Sequence, residues 1–141
     1  MINRISFRFA VNFMLILLAA VMIFHILIIS GIIPYSIVWG GKIKNAEQMY
    51  LFEAVSIVMN MLLLVIIAVK AHYVRIRIPS KIVTGFLWSF VVLFSLNTIG
   101  NLFAETNAET FIFTPLTFIT AVLIYRIVKE QTDKKRVARM E

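Results

Sequence analysis

Two residues of this sequence, His25 and Glu53, place titratable side chains inside apolar stretches. Glu53 stands in Leu51-Phe52-Glu53-Ala54-Val55, and His25 lies among Ile, Phe and Leu residues. An acid in such a stretch is costly unless it is paired, neutral or facing water, and membrane-embedded acids commonly belong to functional sites. An imidazole in contact with a carboxylate could move a proton. The alternatives are a structural hydrogen bond for His25 and, for Glu53, an interfacial acid favoured by the positive end of its helix.

Three more polar residues are expected at a similar depth. Asn97 and Asn101 are four residues apart, so both amides project from one side of a helix. Thr114 opens a series of threonines at every third position. We expect His25, Glu53, Asn97, Asn101 and Thr114 to line one ligand-binding pocket. The alternative is that these groups only join helices, through hydrogen bonds of roughly 0.6 to 2 kcal/mol each.

The remaining sequence lacks the usual signatures of catalysis and of metal binding. The chain has no cysteine, which excludes thiol catalysis and thiolate metal sites. It also lacks the phosphate-binding loop, the H-E-x-x-H zinc motif and the G-x-S-x-G nucleophile motif. His72 belongs to a basic loop at the opposite membrane face from His25. We therefore predict no catalytic residue, metal or cofactor, and an enzyme is less expected than a binding protein or transporter.

The elements that position these residues are predicted from composition and from its arrangement in blocks. Hydrophobic residues make up 61% of the chain and charged residues only 15%, which departs strongly from soluble proteins. An apolar stretch of about 18 residues or more is typical of a transmembrane helix. The sequence thus predicts an all-α, four-transmembrane-helix bundle in a single domain, residues 1–141, ending in a charged tail at 129–141. The expected helices are 10–33, 51–69, 82–103 and 111–128.

The basic residues predict the orientation of these helices. Of the 14 Lys and Arg residues, all except Lys42 and Lys44 fall on one side of the predicted membrane. Because positive residues accumulate on the cytoplasmic side, both termini are expected to be cytoplasmic and the pocket to lie in the outer leaflet half. The net charge of +7 therefore favours contact between the basic tail and anionic inner-leaflet lipids over nucleic-acid binding. The predicted location is the cell membrane, as a multi-pass protein.

Three segments carry a resemblance to known proteins: residues 33–42 (IPYSIVWGGK), 52–57 (FEAVSI) and 97–104 (NTIGNLFA). Together they resemble a group of small bacterial four-helix membrane proteins that carry no assigned activity. The resemblance implies this fold and the bacterial inner membrane, but no function. In size and helix count the chain is also similar to DoxX-like proteins. Small multidrug transporters share four helices and one membrane glutamate, but theirs lies in the first helix, whereas here it is expected in the second.

Three hypotheses about function follow from these residues. In the first, the pocket binds a small or lipid-like ligand or passes a proton-coupled solute. A transport role would require a homodimer, because four short helices enclose little volume. In the second, the chain is a structural or accessory membrane subunit whose polar groups only join helices. In the third, His25 and Glu53 are the acid and base of a membrane enzyme, which requires them within hydrogen-bond reach.

Overall fold

The computed structural model describes residues 5–39, 43–104, 107 and 109–137, with the side chains of Ile37, Glu109 and residues 131–137 not described. In this part of the chain the regular structure is helical. A 3₁₀ turn, Tyr35–Ile37, lies in the first loop, and a π-helical turn, Glu109–Phe113, precedes the last helix. The long helices are α1 (Phe7–Ile29), α2 (Ala46–Lys70), α3 (Ser80–Leu102) and α4 (Thr114–Val137).

All four long helices have apolar segments long enough to cross a membrane. The qualifying segments have mean hydropathies between 1.9 and 2.7, and large apolar side chains such as Ile16, Val58, Leu96 and Phe111 are exposed on the outside of the bundle. In water such a surface would be unfavourable, whereas lipid solvates it well. In the described residues, the prediction of an all-helical fold with four helices long and apolar enough to cross a membrane is confirmed, and the fold indicates a multi-pass membrane protein. The cytoplasmic placement of the termini stays a prediction.

The helices are connected antiparallel, each beside the next in the chain. α3 packs most extensively on α4 and α1 on α2, while α4 also contacts α1 and α2 contacts α3. α1 therefore ends at the same end of the bundle at which α2 begins and α3 ends. We call this the loop end. The opposite end, where α1 begins, α2 ends and α3 begins, is the terminal end.

The first two helices end in the same backbone motif, which shifts their bounds from those expected. After α1, the N–H groups of Gly31 and Ile32 donate to Ile28 and Leu27 carbonyls, both at 3.0 Å, and Gly31 has a φ of 76°. This is a Schellman ending, and it stops α1 at Ile29 rather than at residue 33. After α2, His72 occupies the equivalent left-handed position with a φ of 60°.

The starts of α2 and α4 also have local causes. Asn45 caps α2, since its side-chain oxygen accepts a hydrogen bond from the Gln48 N–H at 2.9 Å, so this helix begins at Ala46, before the apolar block. In α4, Pro115 has no N–H to donate to the preceding turn, and the residues before Thr114 form a π-helical turn instead of a regular α-helical one.

Candidate functional site

The candidate site lies at the loop end, between α1 and α2, and contains the contact of His25 with Glu53. His25 is in the last two turns of α1 and Glu53 in the second turn of α2, so the antiparallel packing brings them to one level. The imidazole Nδ1 lies 2.6 Å from Glu53 Oε2, within hydrogen-bond distance. The two candidates for proton chemistry are therefore direct partners.

Trp39, in the first loop, forms a hydrogen bond with the other carboxylate oxygen of Glu53. Its indole Nε1–H donates to Glu53 Oε1 at 3.0 Å, and its ring packs on Phe52 with centroids 4.9 Å apart. The backbone of Trp39 is left-handed, with a φ of 58°, which is unfavourable for a large side chain and persists only where surrounding contacts compensate. The hydrogen bond to Glu53 and the tilted ring contact with Phe52 are such contacts.

The two side chains of the pair differ in exposure. The Glu53 side chain is 1% exposed, whereas the His25 side chain is 14% exposed. Nearby at the loop end, Ile28, Val38 and Met49 belong to a small cluster of buried apolar residues. The carboxylate is thus removed from solvent, and the imidazole is the exposed member of the pair.

Protonation is the chemistry that this arrangement suits. With one titrating proton on the pair, His25 and Glu53 together are electrically neutral, either as imidazolium and carboxylate or as two neutral groups. Loss or gain of a proton leaves a net charge in a buried apolar place, which is costly. The site can therefore hold a proton and respond to a change in its occupancy. Both carboxylate oxygens are engaged, which disfavours direct attack on a substrate by Glu53.

A second group of polar side chains joins α3 to α4. The Thr117 hydroxyl accepts a hydrogen bond from Asn101 Nδ2 at 3.5 Å and lies 3.0 Å from the Thr98 hydroxyl. It also lies 2.8 Å from the Phe113 carbonyl oxygen, one turn earlier in the chain. These contacts are the hydrogen bonds between membrane helices that small polar residues commonly make.

The five residues predicted for one pocket have different neighbours in the structure. The structure brings His25 and Glu53 into contact, and it joins Asn101 to Thr117 instead. Asn97 is exposed on α3, and Thr114 is half-buried at the first residue of α4. A ligand shared by all five side chains stays a prediction.

The sequence interpretation missed two residues that the structure places beside this site or on its helix face. The first is Trp39, whose hydrogen bond to Glu53 depends on a left-handed loop backbone that the sequence pattern does not indicate. The other is Asn60, whose Nδ2 donates to the Leu18 carbonyl at 3.0 Å and whose buried Oδ1 has no partner in the described structure. A single amide seven residues after Glu53, and so on the same face of α2, was the available signal.

Comparison with protein-family models, with curated proteins and with solved structures gives no match for this chain. The resemblance to small four-helix bacterial membrane proteins and to DoxX-like proteins therefore stays a prediction. Any function proposed for the chain has to be supported by its own residues.

Proposed function

We propose that this chain is a proton-binding, multi-pass membrane protein in which the His25–Glu53 pair takes up and releases a proton and thereby moves the first loop. The observation that carries the proposal is the 2.6 Å contact between the imidazole and a carboxylate whose side chain is 1% exposed. Such a pair inside an apolar segment is costly to keep, and in membrane proteins it commonly belongs to a proton relay or a coupled transport site.

Trp39 supplies the coupling in this proposal. Its indole bonds to the same carboxylate that His25 contacts, so a change in the charge of Glu53 acts directly on the residue that holds the first loop against α2. Because the Trp39 backbone is left-handed, weakening that bond favours a different loop conformation. Opening and closing of this loop would give a small solute or a lipid-like ligand access to the loop end in step with proton binding.

Tryptophan fluorescence tests the proposal, since the chain has only two tryptophans. In a Trp88→Phe background, Trp39 is the only emitter. We expect its emission to change with pH, because protonation of the pair alters the bond from Trp39 to Glu53. Glu53→Gln should abolish that transition, because the amide keeps the size of the carboxylate without its charge. Glu47→Gln, in the first turn of the same helix α2, is the matched control and should keep it.

A structural role for the same cluster is the second candidate function. The observation in its favour is that Glu53 bonds both to α1, through His25, and to the first loop, through Trp39, as a structural connection would. In that case Glu53→Gln should lower the melting temperature while Trp39 emission is independent of pH in both proteins. A flat emission profile in the parent protein would therefore contradict proton binding and favour an accessory subunit.

A further inference from the structure

Asn97 is a polar residue of α3 that the rest of the bundle does not cover. It is exposed, and within the described residues its amide has no hydrogen-bond partner. It lies in the second turn from the end of α3 at Leu102, about 8 Å from that end at 1.5 Å per residue. A helix of this length just spans a hydrocarbon core of about 30 Å. The short side chain of Asn97 therefore lies in the apolar part of the membrane, too far from the headgroups to reach them as Lys and Arg can.

The exposed serine hydroxyls of the same helix are satisfied inside the chain. Ser89 donates to the Gly85 carbonyl at 3.2 Å. Ser95 donates to the Val91 carbonyl at 2.8 Å. The amide of Asn97 carries two N–H donors and one carbonyl acceptor, and leaving these groups unpaired in hydrocarbon is costly. Asn97 thus requires a hydrogen-bonding partner from outside the described structure.

Asn97 also continues a face of α3 that is buried nearer the terminal end. Val83, Leu87 and Phe90 belong to the main buried core, and Asn97 follows Phe90 by seven residues, which places both on the same side of the helix. Among neighbouring helices, α2 and α3 pack least extensively. A face of α3 that lies inside the bundle at the terminal end is therefore uncovered toward the loop end, where Asn97 lies.

Gly100 lies beside Asn97 and leaves space for a second helix. It is exposed, and a Cβ atom added there would meet no atom within 4 Å. Leu93, Asn97 and Gly100 are spaced four and three residues apart, as in the contact between two packed helices. Small residues at such a contact let membrane helices approach closely. We call these three residues the α3 seam.

We propose that this chain forms a homodimer in the membrane through the α3 seam, with the two Asn97 amides hydrogen-bonded to each other. Two copies with the same orientation, related by a two-fold axis along the membrane normal, place every residue at the depth of its own copy. Asn97 then meets the partner's Asn97. Each amide can donate an N–H to the oxygen of the other, whereas a lipid acyl chain has no donor or acceptor. This dimer does not depend on the proposed proton site.

Oxidative cross-linking of single cysteines tests the position of the interface, because the natural chain has no cysteine. In the full chain, reconstituted at low density in phosphatidylcholine vesicles, we expect Gly100→Cys to form a disulfide-linked dimer. Ile99→Cys is the matched control. Ile99 is also exposed, but it lies about 100° around the helix from Gly100 and further still from Asn97. It should cross-link at least about tenfold more slowly.

Energy transfer between copies labelled at Lys44→Cys, in the same vesicles, measures the affinity of the dimer. Asn97→Leu should weaken dimerisation by about tenfold, because two hydrogen bonds between helices are lost. Ser95→Ala removes a hydroxyl that is satisfied within α3, so this control should keep the affinity of the parent. Gly100→Leu is the second variant. Its side chain enters space that its own chain leaves open, so the protomer should fold while the partner is blocked.

Each measurement has an outcome that would overturn the proposal. A parent chain that stays monomeric at every density in the vesicles would show that lipid or another protein covers the α3 seam. Equal cross-linking of Gly100→Cys and Ile99→Cys would show random collision between copies. An unchanged affinity in both Asn97→Leu and Gly100→Leu would show that the copies associate through a different surface.

Discussion

At the residue scale, the polar groups inside the bundle differ in how completely they are paired. Both oxygens of Glu53 have hydrogen-bond partners, on α1 and on the first loop. Asn60 has only its Nδ2 paired, with the Leu18 carbonyl, and its buried Oδ1 has none in the described structure. The Glu53 carboxylate is thus fully hydrogen-bonded, whereas the Asn60 amide forms one hydrogen bond and has one unsatisfied acceptor.

This difference predicts that Asn60 does not add to stability. Asn60→Leu loses one hydrogen bond between helices, worth roughly 0.6 kcal/mol, and removes an unsatisfied buried acceptor that costs about 1 to 3 kcal/mol. We therefore expect the free energy of unfolding in detergent to rise, by about 0.4 to 2.4 kcal/mol. Leu63→Ala, at a fully buried position on the same helix, should by contrast cost about 2 to 5 kcal/mol. A large loss from Asn60→Leu would show that Oδ1 has a partner.

At the element scale, α1 and α2 each end in a residue that must adopt a left-handed backbone conformation. Only one of these two residues is a glycine. Gly31 after α1 and His72 after α2 both adopt the left-handed backbone of the Schellman ending. Glycine has no steric penalty there, whereas a residue with a Cβ atom does. His72 therefore lowers the stability of the folded chain at this position.

Two reciprocal substitutions test this interpretation. His72→Gly should raise the free energy of unfolding by about 1 kcal/mol, and Gly31→Ala should lower it by a similar amount. An added Cβ at Gly31 meets no atom within 4 Å, so the backbone alone determines the second effect. Thermal unfolding of both variants in one detergent provides the comparison. A loss of stability in His72→Gly would contradict the assignment of strain to this residue.

The same elements show how far sequence reasoning reaches. Four apolar blocks predict four helices because hydropathy is a property of whole segments. Their ends depend on single residues, such as the Asn45 cap and the left-handed Gly31, which hydropathy does not register. The depth of His25 and Glu53 follows from their positions in the blocks. Their contact depends on how each helix is rotated, and the bond from Trp39 depends on a loop conformation that few non-glycine residues adopt.

At the scale of the whole molecule, the bundle has different chemistry at its two ends. The loop end holds the buried His25–Glu53 pair, and the terminal end carries the basic connection between α2 and α3, with Arg75 and Arg77. The distribution of Lys and Arg predicts that the terminal end is cytoplasmic. The proposed proton site would then respond to the outside.

Cysteine labelling tests this orientation, because the natural chain has no cysteine. In intact cells, a membrane-impermeant maleimide should label Lys44→Cys, in the first loop. It should label Arg75→Cys, between α2 and α3, only after the membrane is permeabilised. The opposite pattern would invert the topology and place the proton site inside the cell.

The most direct test of proton binding is nitrogen NMR of His25 across pH, in the full chain reconstituted in lipid. The chain has two histidines, so His72→Gln leaves His25 as the only imidazole. We expect its Nδ1 signal to indicate a strong hydrogen bond to the Glu53 carboxylate, which Glu53→Gln should weaken. A His25 Nδ1 signal that is the same with Glu53 and with Gln at this position would contradict a shared proton, and with it the proposed function.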